Sequence, residues 1–222
     1  MAYRRTPAVQ ARLDAQREAV LQAAVGLLAE RGYGGCSMAA VADRTGIATG
    51  SLYQHFAGKA ELSVELFRRV VTREIAAVTA AVACRETPRQ RIAAVVETFA
   101  TRALRAPVLA YALLVEPADA VVDAERLVFR RAFRDVIATE IAAAVAAGQL
   151  PRQEPELTAA ALVGAVAEAL AGPLAAAPEA AAPAAAEAAT PEAATSGTVP
   201  EVVPALVSFT LRALGGRDDS DA

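Results

Sequence analysis

Between Met38 and Phe56 the chain has room for two short helices and one tight turn, an arrangement that few folds accommodate. Apolar residues recur at helical spacing from Met38 and stop at Gly46. Glycine suits the left-handed residue with which a helix commonly ends. A second helix must begin almost at once: Thr49 reads as its N-cap, and Leu52, Tyr53 and Phe56 fall three and four residues apart on one face. Two short helices about a glycine turn form a helix-turn-helix.

The opposite face of that second helix carries Gly50, Ser51, Gln54 and His55, with Thr49 at its start, and no carboxylate occurs from Thr45 to Gly58. Hydroxyl, amide and imidazole groups donate to phosphate oxygens or base edges, and Gly50 lets the backbone approach a duplex closely. Taken alone, such a face also fits an ordinary amphipathic helix. Tyr53 has two open roles, packing beneath the short helix or reaching a phosphate through its hydroxyl.

The flanking sequence supplies the context. Leu13, Val20, Ala24, Leu27 and Leu28 mark a long helix that starts at Thr6-Pro7 and closes at Gly32; Ser37 caps the next helix, and Gly58-Lys59 opens a fourth. Residues 1–60 therefore read as a three-helix DNA-binding domain and residues 61–222 as a larger helical domain, giving an all-α fold. Charge divides in the same sense. Residues 1–60 carry seven Lys/Arg against four Asp/Glu, within a chain whose net charge is −3. The basic end is the one that suits a polyanionic partner.

At this point the sequence resembles the TetR/AcrR family of transcriptional regulators. The resemblance rests on Ala29-Glu30-Arg31-Gly32-Tyr33, Ser37 to Ala42, Thr45-Gly46-Ile47, Gly50-Ser51-Leu52-Tyr53-Gln54-His55-Phe56 and Lys59-Ala60-Glu61-Leu62. It covers the first quarter to third of the chain. It implies that Thr49, Gly50, Ser51, Tyr53, Gln54 and His55 meet DNA and that Lys59 contacts a phosphate. It also implies a homodimer on a pseudo-palindromic double-stranded operator, with recognition helices about 34–36 Å apart, and a small-molecule effector that releases DNA by tilting the fourth helix. Repression is the family default. Departures are visible as well: Ala48, Thr49 and Ala39-Ala40 stand where the family often has Ser, Lys and a basic-acidic pair. Binding then leans on Arg4 and Arg5 of the N-terminal arm and on Lys59.

Beyond Lys59, prolines and glycines divide the chain into amphipathic helices. The spacing predicts helices over 59–82, from Thr87-Pro88 to Pro107, over 108–115, from Asp119 to Ala147 ahead of Gly148, and from Pro155-Glu156 onward. Arg126, Arg130, Arg131 and Arg134 read as a solvated face. Residues 172–200, rich in Ala and Pro with few large apolar side chains, read as a flexible loop. A final helix follows Pro200-Glu201. Its apolar residues, with those of the preceding helix, are expected to form the dimer contact: Leu162, Val166, Leu170, Val203, Leu206, Val207 and Thr210. An effector pocket is expected among residues 62–170, lined by Phe99, Tyr111, Leu114, Phe129 and Phe133, with Arg102 and Glu116 as polar anchors. Aromatics at such spacing also serve as plain core.

Other classes fare poorly. His55 is the single histidine, and Cys36 and Cys84 have no metal-ligand spacing, so no metal or cofactor is expected and both thiols read as free and buried. Neither a nucleophile-base set nor a phosphate-cradling glycine loop is present, which argues against an enzyme. A helical interaction module that has lost DNA binding is the remaining rival. No membrane segment is read, and the cytoplasm is the expected compartment.

Overall fold

The structure is a computed structural model and describes residues 7–186 and 199–215. Among the described residues all regular structure is helical. The order is α1 Pro7–Gly35, α2 Met38–Thr45, α3 Thr49–Leu52, α4 Lys59–Ala83, α5 Pro88–Arg105, α6 Pro107–Leu114, α7 Ala120–Ala146, α8 Pro155–Ala186 and α9 Val199–Ala213. The small unit α1–α3 joins the larger bundle α4–α9 through α6, which packs on α1, and through α4, which packs on α1, α5 and α7.

Local chemistry sets the boundaries. The regular part of α1 ends at Gly32, whose φ of 65° and ψ of −168° lie in a region essentially confined to glycine. Ser37 Oγ accepts from Ala40 N and caps α2, and Gly46, at φ 68°, ends it. Thr87 and Gln90 form a reciprocal capping box ahead of Pro88, which sets the start of α5. Gly148, at φ 70°, follows α7. The α1–α4 contact is reinforced by ion pairs from Arg17 to Glu65 and from Arg69 to Glu18, and α4 meets α7 through a two-pronged Arg68–Glu125 pair.

Two cores result. The larger joins α1–α4 to α7 through Leu27, Leu52, Phe56, Leu66, Phe67, Phe129 and Ile141 among others. The smaller is built from Val96, Ala100, Ala110, Val166, Leu170, Leu174 and Leu206. Aromatic rings run between helices in edge-to-face contact: Phe67 of α4 against Phe129 at 6.1 Å, Phe129 against Phe133 at 4.7 Å, and Phe133 against Phe99 of α5 at 5.2 Å.

Several expectations need correction. The segment read as a loop from 172 is helical as far as Ala186, because alanine has the highest helix propensity and buried Leu170 and Leu174 anchor α8 past Gly172-Pro173. Residues 187–198 lie outside the described residues, as do Arg4, Arg5 and Thr6. Over Pro155–Ala176, α8 is long and apolar enough to cross a membrane by length and composition, contrary to the reading that no such stretch exists; one of its faces is nevertheless packed into the bundle. Cys36 is buried, but Cys84 is exposed. Arg126 does not sit on a solvated face. Its guanidinium donates to the carbonyls of Ala112, Leu113 and Glu116 and pairs with Asp123, which ties down the end of α6.

Candidate DNA-contact surface and effector cavities

Leu52 is fully buried and Phe56 almost so, and these two side chains seat α3 on α1, α2 and α4. Tyr53 does not share that seam: it is 55% exposed. Its hydroxyl is thereby placed for an external acceptor. The helix is shorter than the spacing suggests. After Leu52 the chain tightens, with Gln54 N bonding to Ser51 O and His55 N to Leu52 O. Thr49 is the first helical residue rather than the cap; that position belongs to Ala48, whose side chain caps nothing.

Thr49, Gly50, Tyr53, Gln54 and Lys59 are exposed and Ser51 is half-buried. A methyl group built on Gly50 would meet nothing within 4 Å, so the fold itself does not require glycine there. Lys59 makes no ion pair among the described residues. Arg44, by contrast, is held by a bidentate pair with Glu30 at 2.7 and 2.5 Å. Arg17 lies over the Phe56 ring, 4.9 Å from its centre. His55 differs from the expected donor: it is half-buried, and its Nε2 is enclosed without a hydrogen-bond partner.

Within the larger bundle, two small apolar cavities lie on either side of Phe99, Leu114 and Phe129. One, of about 40 Å³, is also lined by Phe133, Ile137, Leu162 and Val166, with Arg130 at its edge. The other, of about 50 Å³, is lined by Val70, Ala103, Leu109, Ala110 and Leu113, with Arg102 and Glu74 at its edge. Phe99, Leu114 and Phe129 line both cavities, Phe133 lines the first and Arg102 the second. Tyr111 lines neither cavity and packs on the second core instead. Arg102 is engaged by Glu74, at 2.5 and 2.7 Å. Glu116 is no pocket anchor, because its carboxylate accepts from Tyr33 N and Gly34 N at 2.9 and 3.0 Å.

The α8 and α9 residues assigned to a dimer contact are also redistributed. Leu162 and Val166 line the first cavity; Leu170, Leu206 and Thr210 are buried within the chain; Val203 and Val207 pack against the second core. Helical periodicity identified an apolar face but not which side of the helix lay inward. The outward side of α8 presents Leu157 at 70% exposure with Ala161, Gly164 and Glu168, and that of α9 presents Ala205 and Phe209, the latter 43% exposed. The inward positions Val95, Val96 and Ile137 were missed as cavity lining. Their only signal was the same helical spacing that marks ordinary core.

A helix-turn-helix with an outward polar face, carried on an all-helical bundle with an apolar interior, makes this face the candidate DNA-contact surface. The family described as bacterial regulatory proteins, tetR family, matches residues 20–66, the stretch that holds the helix-turn-helix. It is 37% identical over 86 residues to the HTH-type transcriptional activator FasR of Mycolicibacterium smegmatis, covering 39% of each protein. It is 40% identical over 60 residues to the HTH-type transcriptional repressor KstR2 of Mycobacterium tuberculosis, covering 27% of this chain and 30% of that protein. The matched stretches therefore span well under half of these relatives. The fold is shared more widely. The fatty acid degradation regulator FadR of Bacillus halodurans superposes with a TM-score of 0.70 at 14% identity, over 97% of this chain and 100% of that one. FadR of Bacillus subtilis, solved in complex with stearoyl-CoA, gives 0.67 at 15% identity over 90% and 99%.

Proposed function

We propose that the chain is a cytoplasmic repressor that binds a pseudo-palindromic operator as a homodimer and releases it on binding a small molecule with an elongated apolar part. The observation that supports the DNA reading is the division of labour around α3: Leu52 is buried, whereas Tyr53 beside it is 55% exposed and a side chain at Gly50 would meet open space. Thr49, Gln54 and Lys59 are exposed nearby and Ser51 is half-buried. Two recognition helices then enter successive major grooves.

The effector reading rests on the paired cavities. Each holds little more than a water molecule's worth of space, whereas small-molecule sites occupy about 300–1,000 Å³. An occupant must therefore displace the wall formed by Phe99, Leu114 and Phe129. Once that wall moves, the two spaces join into one apolar slot whose opposite edges carry Arg130 and the Arg102–Glu74 pair. A linear apolar chain with a charged head fits such a slot. The similarity to a FadR solved with stearoyl-CoA supports the same chemistry.

For the dimer, the outward faces of α8 and α9 replace the inward residues. Ala161 and Gly164 permit close helix approach, and Leu157 and Phe209 supply exposed apolar area.

Selection of bound duplexes from a random pool, followed by titration with stearoyl-CoA, tests the reading. A palindrome bound by two protomers, and released by the thioester, is expected. Recovery of no preferred sequence, or a protein that stays monomeric on DNA, overturns it.

A further inference from the structure

The junction between the two units holds a contact that neither DNA reading nor cavity lining uses. Glu116 lies two residues past the end of α6, yet its carboxylate reaches back across the molecule to the end of α1, accepting from the backbone N–H groups of Tyr33 and Gly34 at 2.9 and 3.0 Å. The approach depends on Gly32. A methyl group at that position would stand 2.5 Å from Glu116 Oε2. Tyr33 itself is buried, its hydroxyl has no partner, and burial pushes that hydroxyl's pKa well above the ordinary value. The segment is thus fixed by its backbone and its packed ring, not by a hydrogen bond from its side chain.

On the other side of the contact, Arg126 of α7 turns the end of α6 into a block. Its guanidinium donates to the carbonyls of Ala112, Leu113 and Glu116, so the last turn of α6 and the residue bearing the carboxylate are held by one planar donor. The same turn forms part of the cavity walls, since Ala110 and Leu113 line the second cavity and Leu114 lines both. A displacement of α6 by an occupant therefore carries Glu116 with it. The residues held by Glu116 lead through Ser37, the cap of α2, directly into the helix-turn-helix.

We propose that Glu116 is a positioning residue that transmits the placement of α6 to the DNA-binding unit through the Tyr33 and Gly34 amides, with Arg126 as the clamp that makes α6 and Glu116 move together. This rests on the effector reading for its physiological trigger, but the mechanical link is independent of what fills the cavity. Coupling between two sites requires an element whose position both sites bias, and the α6 end is that element.

The test uses the full chain without DNA or effector. Ala110→Leu overfills the second cavity and stands in for an occupant. In the parent protein it is expected to shift the backbone amide NMR signals of α2 and α3 as well as those of α5. Combined with Glu116→Ala, the α5 shifts persist and the α2–α3 shifts are lost; with Glu116→Gln, which keeps one acceptor oxygen, they are partly restored. Hydrogen exchange at Tyr33 and Gly34 rises in Glu116→Ala while that of buried Val41 and Leu52 does not, which separates loss of the link from loss of the fold. Equal α2–α3 shifts with and without Glu116, or none in the parent background, overturn the proposal. The effector reading fails on a different result, the absence of stearoyl-CoA binding to the unmodified chain.

Discussion

Adjacent residues Leu52 and Tyr53 make a sharp test of which side of α3 faces the protein. Leu52→Ala removes three carbons from a site that is fully enclosed by the α1, α2 and α4 core. At about 0.8 kcal/mol per methylene the transfer term is roughly 2 kcal/mol, and the unfilled space adds to it, for a total of about 2–5 kcal/mol. For a chain of this size about 2–4 °C is lost per kcal/mol, so the melting temperature should fall by roughly 5–15 °C. Tyr53→Ala, at a position 55% exposed, should leave stability within about 0.5 kcal/mol. On the proposed DNA reading it removes a hydrogen bond to a charged phosphate oxygen worth about 1.5–3 kcal/mol, which is tenfold or more in operator affinity. Calorimetry on both variants, with fluorescence anisotropy titrations on a selected duplex well below either melting point, separates the two effects. Similar melting temperatures for the two variants, or an undiminished affinity for Tyr53→Ala, would refute the assignment of faces.

Further outcomes follow from other positions. Gly50→Leu meets open space within the chain, so it should unfold at the parent temperature in calorimetry yet lose operator binding by tenfold or more in the anisotropy titration. Gly32→Ala forces a side chain onto φ 65° and against Glu116, and should cost about 1–3 kcal/mol in urea unfolding, with part regained on adding Glu116→Ala. Glu125 is held below the ordinary glutamate value of 4.5 by its hydrogen bonds from Arg68. A lowered folded-state value means that its contribution is present above that pH and lost as pH falls through the lower value. The melting temperatures of the parent and Glu125→Gln should therefore differ at pH 7 and converge in acid; a constant gap down to the lowest pH would refute the pairing. Lys59→Ala should weaken DNA binding and flatten its dependence on salt without changing the melting temperature.

Most of the fold was legible because its boundaries are written in residues with few conformational alternatives. Gly46 at φ 68°, Ser37 as a cap and Thr87-Pro88 ahead of α5 all stand where their chemistry requires. The polar side of α3 was legible for the same reason, since Leu52 and Phe56 leave only one face outward. Reading ran out where a periodic pattern is degenerate. Along α8, Leu162 and Val166 gave an apolar stripe, but a stripe does not say whether its own chain or a second copy covers it; here α5, α6 and α7 do. Arg126 and Glu116 were misread because their partners are backbone groups, which every residue possesses and no sequence distinguishes. The length of α8 past Gly172 likewise depended on Leu174 finding a place in the second core, a tertiary fact that a run of alanines and prolines conceals.

The row of phenyl rings from Phe67 to Phe99 ties together two traits that selection would otherwise adjust separately. Phe129 lines both cavities, and its edge also rests against Phe67, part of the helix that begins beside the recognition unit. Any exchange at Phe129 that admits a bulkier or differently shaped molecule also strips support from α4. Diversification of the cavity should therefore begin at lining positions outside the row of rings, such as Val95 or Ala103, while Phe129 resists change.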